Sequence, residues 1–191
     1  MYADNSLTPR ETIRLCALGT LAQQPRGEAM TYDDLVSSVR HFVSRITGPS
    51  LDLMGESIEL LRYEGLIKIL DREDTPNPPL IITREGHAVL KTLLLANIRS
   101  GSSELNKLIT ALKFRFLHLL PIEDQMVQAD EFLELCETEL VRLNDLLKYH
   151  ENDYGYLVKW LTNDIEWLNS RIEWLIAFRD QLSNNEEKNQ R

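Results

Sequence analysis

Cysteine is all but missing from this chain. Of 191 residues only Cys16 and Cys136 are cysteines, one in each half, and neither has a C-x-x-C neighbour or a paired histidine. That excludes a disulfide framework and a cysteine-based zinc site, and it marks both as small buried hydrophobes of a reducing compartment. Long apolar runs are missing too, since nothing approaches the roughly 18 consecutive apolar residues of a membrane span. The opening residues, Met1-Tyr-Ala-Asp-Asn-Ser6, lack the charged-then-apolar pattern of a secretion signal, so the chain reads as cytoplasmic with no membrane partner. Catalytic motifs are equally scarce. His41, His87, His118 and His150 are scattered without metal-ligand spacing, and there is no glycine-rich phosphate loop or nucleophile motif. Glu123-Asp124 after Pro121 reads as a charged helix start rather than a catalytic pair. A non-enzyme with no cofactor and no metal is expected. Phe114, Phe116 and His118 sit at helical spacing and read as core, which leaves a small-molecule effector without support.

Basic charge is the remaining scarcity. The net charge is −9, with 11 Lys and Arg against 13 Asp and Glu before Gly101 and 10 against 17 from there on. An acidic chain can still bind nucleic acid through one locally basic face, because phosphate contacts act over about 10 Å at ordinary ionic strength. The asymmetry suits a nucleic-acid module joined to an acidic partner domain.

What is present begins with a 43% apolar content, ample for packed cores. Thr8-Pro9-Arg10-Glu11 offers an N-cap, a proline at the first helical position and a capping-box glutamate. Ile13, Leu15, Cys16, Leu18 and Leu21 then supply an apolar face. Thr31 caps a second helix carrying Leu35, Val36, Val39, Phe42 and Val43, and Ser50 caps a third over about 51–63, with Met54, Ile58 and Leu61 inward and Asp52, Gly55, Glu56, Glu59 and Arg62 outward. Gly65 ends that helix. Leu66-Ile-Lys-Ile-Leu70 and Leu80-Ile-Ile82 are short strands around a proline-rich turn, and Thr83 caps a fourth helix over about 85–98. Helix, strand, turn, strand, helix is the layout of a winged helix.

After a polar break at Arg99-Ser-Gly-Ser-Ser103 the pattern is helical throughout: 105–120, 124 to about 151, and 154–182, before a polar tail from Ser183 to Arg191. The last helix repeats with a period of seven: Trp160-Leu161, Trp167-Leu168 and Trp174-Leu175, with Ile165 and Ile172 beside the seam. The stripe is wider than a two-stranded seam needs, so it is expected to meet both the preceding helix and a second copy of the chain. A self-contained hairpin with the tryptophans as ordinary core is the alternative.

Leu60-Leu-Arg-Tyr-Glu-Gly-Leu-Ile67, Ile82-Thr-Arg-Glu-Gly86, Leu117-His-Leu-Leu-Pro-Ile-Glu123 and Ile165-Glu-Trp-Leu168 occur in an order that resembles the PadR-like transcriptional regulators, nearest in length to their AphA-like branch. The resemblance implies a mainly α fold with a small β-hairpin wing. Residues 1–100 would form a winged helix-turn-helix DNA-binding domain and residues 101–191 a coiled-coil-like dimerisation domain. The homodimer would dock on a pseudo-palindromic operator in double-stranded DNA. Arg40, His41, Arg45, Ser50, Arg62, Lys68 and Arg72 are the basic or hydrogen-bonding groups nearest the expected DNA face. Arg and Lys there would fix the backbone, while Ser50 and Asp52 would reach base edges. Gly55 and Glu59 depart from the family pattern, where tyrosine and a basic residue are common. That acidic third helix favours a rival reading: a dimeric protein-interaction module on a winged-helix scaffold that has lost specific DNA binding.

Overall fold

The computed structural model describes residues 6–25, 30–48, 55–70, 77–98 and 103–189. It divides into two compact units, Met1–Leu120 and Pro121–Arg191. Within the first, helix starts form where the sequence supplies caps. At the start of α1 (Pro9–Ala22) the Thr8 side chain accepts from the Glu11 N–H, and the Glu11 carboxylate accepts the Thr8 N–H at 2.8 Å. After the two-residue strand β1 (Met30–Thr31), Thr31 and Asp34 repeat the capping box at the start of α2 (Tyr32–Thr47). Thr8's hydrogen bonds hold the Glu11 carboxyl below its ordinary range, and those from Thr31 do the same for Asp34.

Helix α3 (Gly55–Tyr63) closes with a Schellman turn in which Leu66 N–H reaches Leu61 O at 2.8 Å and Gly65 N–H reaches Arg62 O at 3.1 Å. That turn needs a left-handed residue, and Gly65 has φ 73. Strands β2 (Ile67–Ile69) and β3 (Pro79–Ile82) pair antiparallel with Lys68 opposite Ile81, and β1 joins the far edge of β3 to give the order β1-β3-β2. The two-residue β1 is too short for alternation to show in sequence.

Helix α4 (Arg84–Leu94) begins against the start of β2. Thr83 accepts the Gly86 N–H at 3.0 Å, its own N–H bonds Leu66 O at 3.0 Å, and its hydroxyl donates to Gly65 O at 2.8 Å. A Cβ on Gly86 would stand 2.1 Å from Leu66 O and 2.7 Å from Ile82 Cγ1. Only glycine allows this approach.

Around that junction α1 is the hub, packed against α2, α3, α4 and α5 (Glu104–Phe116). Leu15, Cys16, Ala17 and Leu18 are completely buried. Gly19 receives the Phe116 ring, since a Cβ there would lie 2.4 Å from it. Burial pushes the Cys16 thiol up to about 12, Arg115 partly opposing, so Cys16 is the inert hydrophobe expected; Cys136 is only half-buried, a departure from that expectation. Two cations fix α5. The buried Lys113 donates to Leu94 O at 2.7 Å, and the Arg115 guanidinium lies 4.6 Å from the Phe42 ring and 4.9 Å from the Phe116 ring.

Several elements end differently from expectation. Helix α4 stops at Leu94 rather than near Ile98. The helix expected to Leu120 ends at Phe116, followed by a 3-10 turn at Leu117–Leu119, because Pro121 forces Leu120 into extended backbone. Helix α5, which the polar break had grouped with the later helices, belongs to the first compact unit. In the second unit α6 (Ile122–Tyr149) and α7 (Leu157–Asn189) form an antiparallel hairpin in which Arg179 reaches Asp130 at 3.3 Å. Helix α7 continues through the expected polar tail because no Gly or Pro interrupts 183–189. The charge divides sharply: 14 Lys and Arg against 14 Asp and Glu over 1–120, and 7 against 16 over 121–191.

Gly86→Ala is expected to lower the stability of the first unit by about 1–3 kcal/mol through overpacking against Leu66 O. A urea midpoint equal to that of the wild type would contradict the close approach.

Candidate nucleic-acid interface

The outward face of α3 is small and mixed in charge. Glu59, Arg62 and Tyr63 are exposed and lie three and four residues apart, hence on one side of the helix, while Ile58 and Leu61 are completely buried beneath them. This is the division expected for the described part of the helix. Ser50, Asp52, Met54 and Arg72 lie outside the described residues.

A cleft of about 220 Å³ separates α3 from the wing, with Ile58, Ile67, Ile69 and Leu80 among its apolar walls and Tyr32, Glu59, Arg62 and Asn77 among its polar ones. Asn77 ties the entry of β3 to the first turn of α2 through a 3.0 Å hydrogen bond to the Asp33 carboxylate. Burial first, then Glu59 and Asp33, raise the Tyr32 hydroxyl above its ordinary value, with Arg62 opposing. Tyr32 therefore stays neutral at pH 7, able to donate or accept. The Arg62 guanidinium sits 5.8 Å from the centre of the Tyr63 ring. A flat cation resting on an exposed aromatic is suited to stack on, or pair with, a polar planar group.

Of the sequence-predicted contacts, Arg62 is among the residues lining the cleft and the others described here are not. Arg40, His41 and Arg45 are exposed along the second half of α2, His41 and Arg45 sharing a face by their four-residue spacing. Lys68 points outward from β2 between the inward Ile67 and Ile69. Tyr32 and Tyr63 were not singled out from sequence. Tyr63 was detectable from its exposed neighbour Arg62, whereas nothing local marks Tyr32.

The second unit sorts its heptad stripe into two faces. Leu161, Leu175 and Leu182 are buried, and Ile165, Leu168 and Ile172 are half-buried on the hairpin. Trp160, Trp167 and Trp174 are instead 56%, 73% and 53% exposed, so the alternative that made them ordinary core of the hairpin is overturned. Trp174 stacks on Phe178 at 5.5 Å with nearly parallel planes.

The family model described as "Putative AphA-like transcriptional regulator" matches residues 2–179. The chain belongs to this family. It is a family of transcriptional regulators, not of enzymes, and the three-stranded sheet with its hairpin between α3 and α4 gives this member a winged helix. Two solved structures are similar over nearly their whole length. PadR of Bacillus subtilis in complex with operator DNA is 17% identical, with 92% of this chain and 99% of that one covered at a TM-score of 0.36. The smu.1604c protein of Streptococcus mutans UA159 is 16% identical, with 94% and 98% covered and a TM-score of 0.36. No curated protein matches the chain. Among the described residues no helix of this family member is long and apolar enough to cross a membrane.

Leu161→Ala should destabilise the α6–α7 hairpin by about 2–5 kcal/mol, as truncation of a fully buried leucine does. Chemical denaturation followed by circular dichroism measures it, and a loss below about 1 kcal/mol would show that the leucine seam is not the hairpin's core.

Proposed function

We propose that this regulator binds double-stranded DNA as a homodimer, reading it through the winged helix of the first unit and pairing through α6 and α7 of the second. The observation that carries the proposal is a winged helix, with Arg62 outward on α3 and Lys68 outward on the wing, in a member of a transcriptional-regulator family. Arg40, His41, Arg45, Lys68 and Arg72 would position the phosphate backbone, and Ser50, Asp52 and Arg62 would approach base edges. Two α3 helices related by a two-fold axis read an inverted repeat, so the operator would be pseudo-palindromic. Because 1–120 is neutral as a whole, affinity has to come from these few cations acting locally.

For the dimer, the exposed tryptophans are the supporting feature. Leu161 and Leu175 are already buried in the single chain, whereas Trp160, Trp167 and Trp174 are exposed along α7, with Ile165, Leu168 and Ile172 half-buried on the same helix. Three exposed indoles at seven-residue spacing are the kind of apolar surface feature that accompanies an interaction site. A second reading, the interaction module without DNA binding, draws on one observation: Glu59 stands exposed beside Arg62 on α3 and repels phosphate.

Arg45→Ala tests the proposed phosphate contacts. It should weaken binding to all DNA sequences about equally and flatten the dependence of log K on log salt by about one unit. A slope unchanged from wild type removes Arg45 from the contacts. Trp167→Asp should convert the dimer to monomer in light scattering by placing an unpaired charge in the apolar face, and a dimer that persists would exclude that face as the interface.

A further inference from the structure

Glu59 counts against phosphate binding, yet its place on α3 suits a different contact. Two acids are exposed over residues 58–65, Glu59 and Glu64, and the second is held by the Arg14 guanidinium. Among the described residues Glu59 has no ion pair, although Arg62 stands three residues on, the spacing at which such side chains commonly close on each other. Arg62 lies instead 5.8 Å from the centre of the Tyr63 ring. The two charges still share their surroundings. Both line the cleft beside the wing, and both act on the Tyr32 hydroxyl there, Glu59 raising its pKa and Arg62 lowering it. One side of α3 so presents a carboxylate, which only accepts hydrogen bonds, next to a guanidinium, which only donates them.

A phosphate offers acceptors alone and satisfies only Arg62. The major groove offers both kinds of group: the N4 amino group of cytosine donates, and O6 and N7 of guanine accept. Side chains three residues apart on a helix stand about 5–6 Å from each other, against about 3.4 Å between stacked base pairs, a separation that fits neighbouring pairs. Thymine O4 and guanine O6 would face the carboxylate with another acceptor, and adenine sets its N7 acceptor beside its donor, so the acid rejects as well as accepts. We infer that Glu59 is a specificity-determining residue that accepts the N4 amino group of a cytosine in each operator half-site, while Arg62 forks onto O6 and N7 of a guanine in the neighbouring base pair. This rests on the DNA reading proposed above and deepens it, since the acid that weakens attraction to DNA in general becomes the group that selects a base.

The test is selection from a randomised duplex pool at about 0.15 M salt by the full wild-type chain, by Glu59→Gln and by Arg62→Ala, with sequencing of what each retains. Wild type should retain half-sites in which a fixed cytosine neighbours a fixed guanine. Glu59→Gln should exchange that cytosine for adenine, because a glutamine amide pairs with adenine N6 and N7, and leave the other positions as they were. Arg62→Ala should lose the guanine. In direct titration wild type should prefer its selected site about tenfold over the same site with thymine in place of the cytosine, and Glu59→Gln should abolish that preference. A Glu59→Gln chain that binds every duplex more tightly and still selects the wild-type sequence would make Glu59 a plain repellent of phosphate, overturning this inference and leaving the DNA reading intact. A wild type that retains no common sequence would overturn both.

Discussion

The carbonyl of Leu66 is the point through which the winged helix is held together. It accepts the Thr83 N–H, lies against the bare backbone of Gly86, and belongs to the residue that completes the Schellman turn after α3. The end of α3, the start of β2 and the start of α4 therefore meet at one peptide group. The constraint is steric as much as polar, because the approach exists only while residue 86 lacks a side chain. Since β2 leaves this point toward the wing and α3 arrives at it from the cleft, the angle between α3 and the hairpin is set here. In the proposed reading of DNA, the placement of Arg62 and Lys68 would depend on that angle.

The remainder of the first unit supports the junction from behind. Helix α1 touches every neighbouring helix, and its one bare position, Gly19, lets Phe116 of α5 close against it. The buried Lys113 and the stacked Arg115 do what apolar side chains could not: they satisfy the last turn of α4 and clamp α5 on Phe42. Both cations are spent inside the unit, so the positive charge left for a partner is that of the exposed residues, Arg40, Arg45, Arg62 and Lys68 among them. The whole net charge of −9 falls in residues 121–191, which leaves the winged-helix unit neutral at 14 basic against 14 acidic residues. DNA binding by such a chain is a matter of local placement, not of overall charge.

Much of this was legible because the signals are local. Thr8, Thr31 and Thr83 cap the helices they precede, Gly65 takes the left-handed turn, and the strands fall where β-branched runs flank the turn residues. What escaped depends on tertiary context. Strand β1 exists only because β3 offers it an edge, and the split of the α7 stripe into inward leucines and outward tryptophans depends on how α6 lies along it. A seven-residue repeat fixes which residues share a face but not which neighbour takes it. At the candidate interface the exposed Glu59 and Arg62 were readable from helical phase. The cleft was not, because Tyr32 and Asn77 come from distant segments, and Ser50, Asp52 and Arg72 lie outside the described residues.

The claim that this chain is a DNA-reading dimer is tested most directly by recovering fragmented genomic DNA with the purified protein at physiological salt and sequencing what is retained. The account predicts enrichment of fragments sharing one inverted repeat, with half-sites about one helical turn apart. Fragments of random sequence retained only at low salt, or none at all, would contradict it.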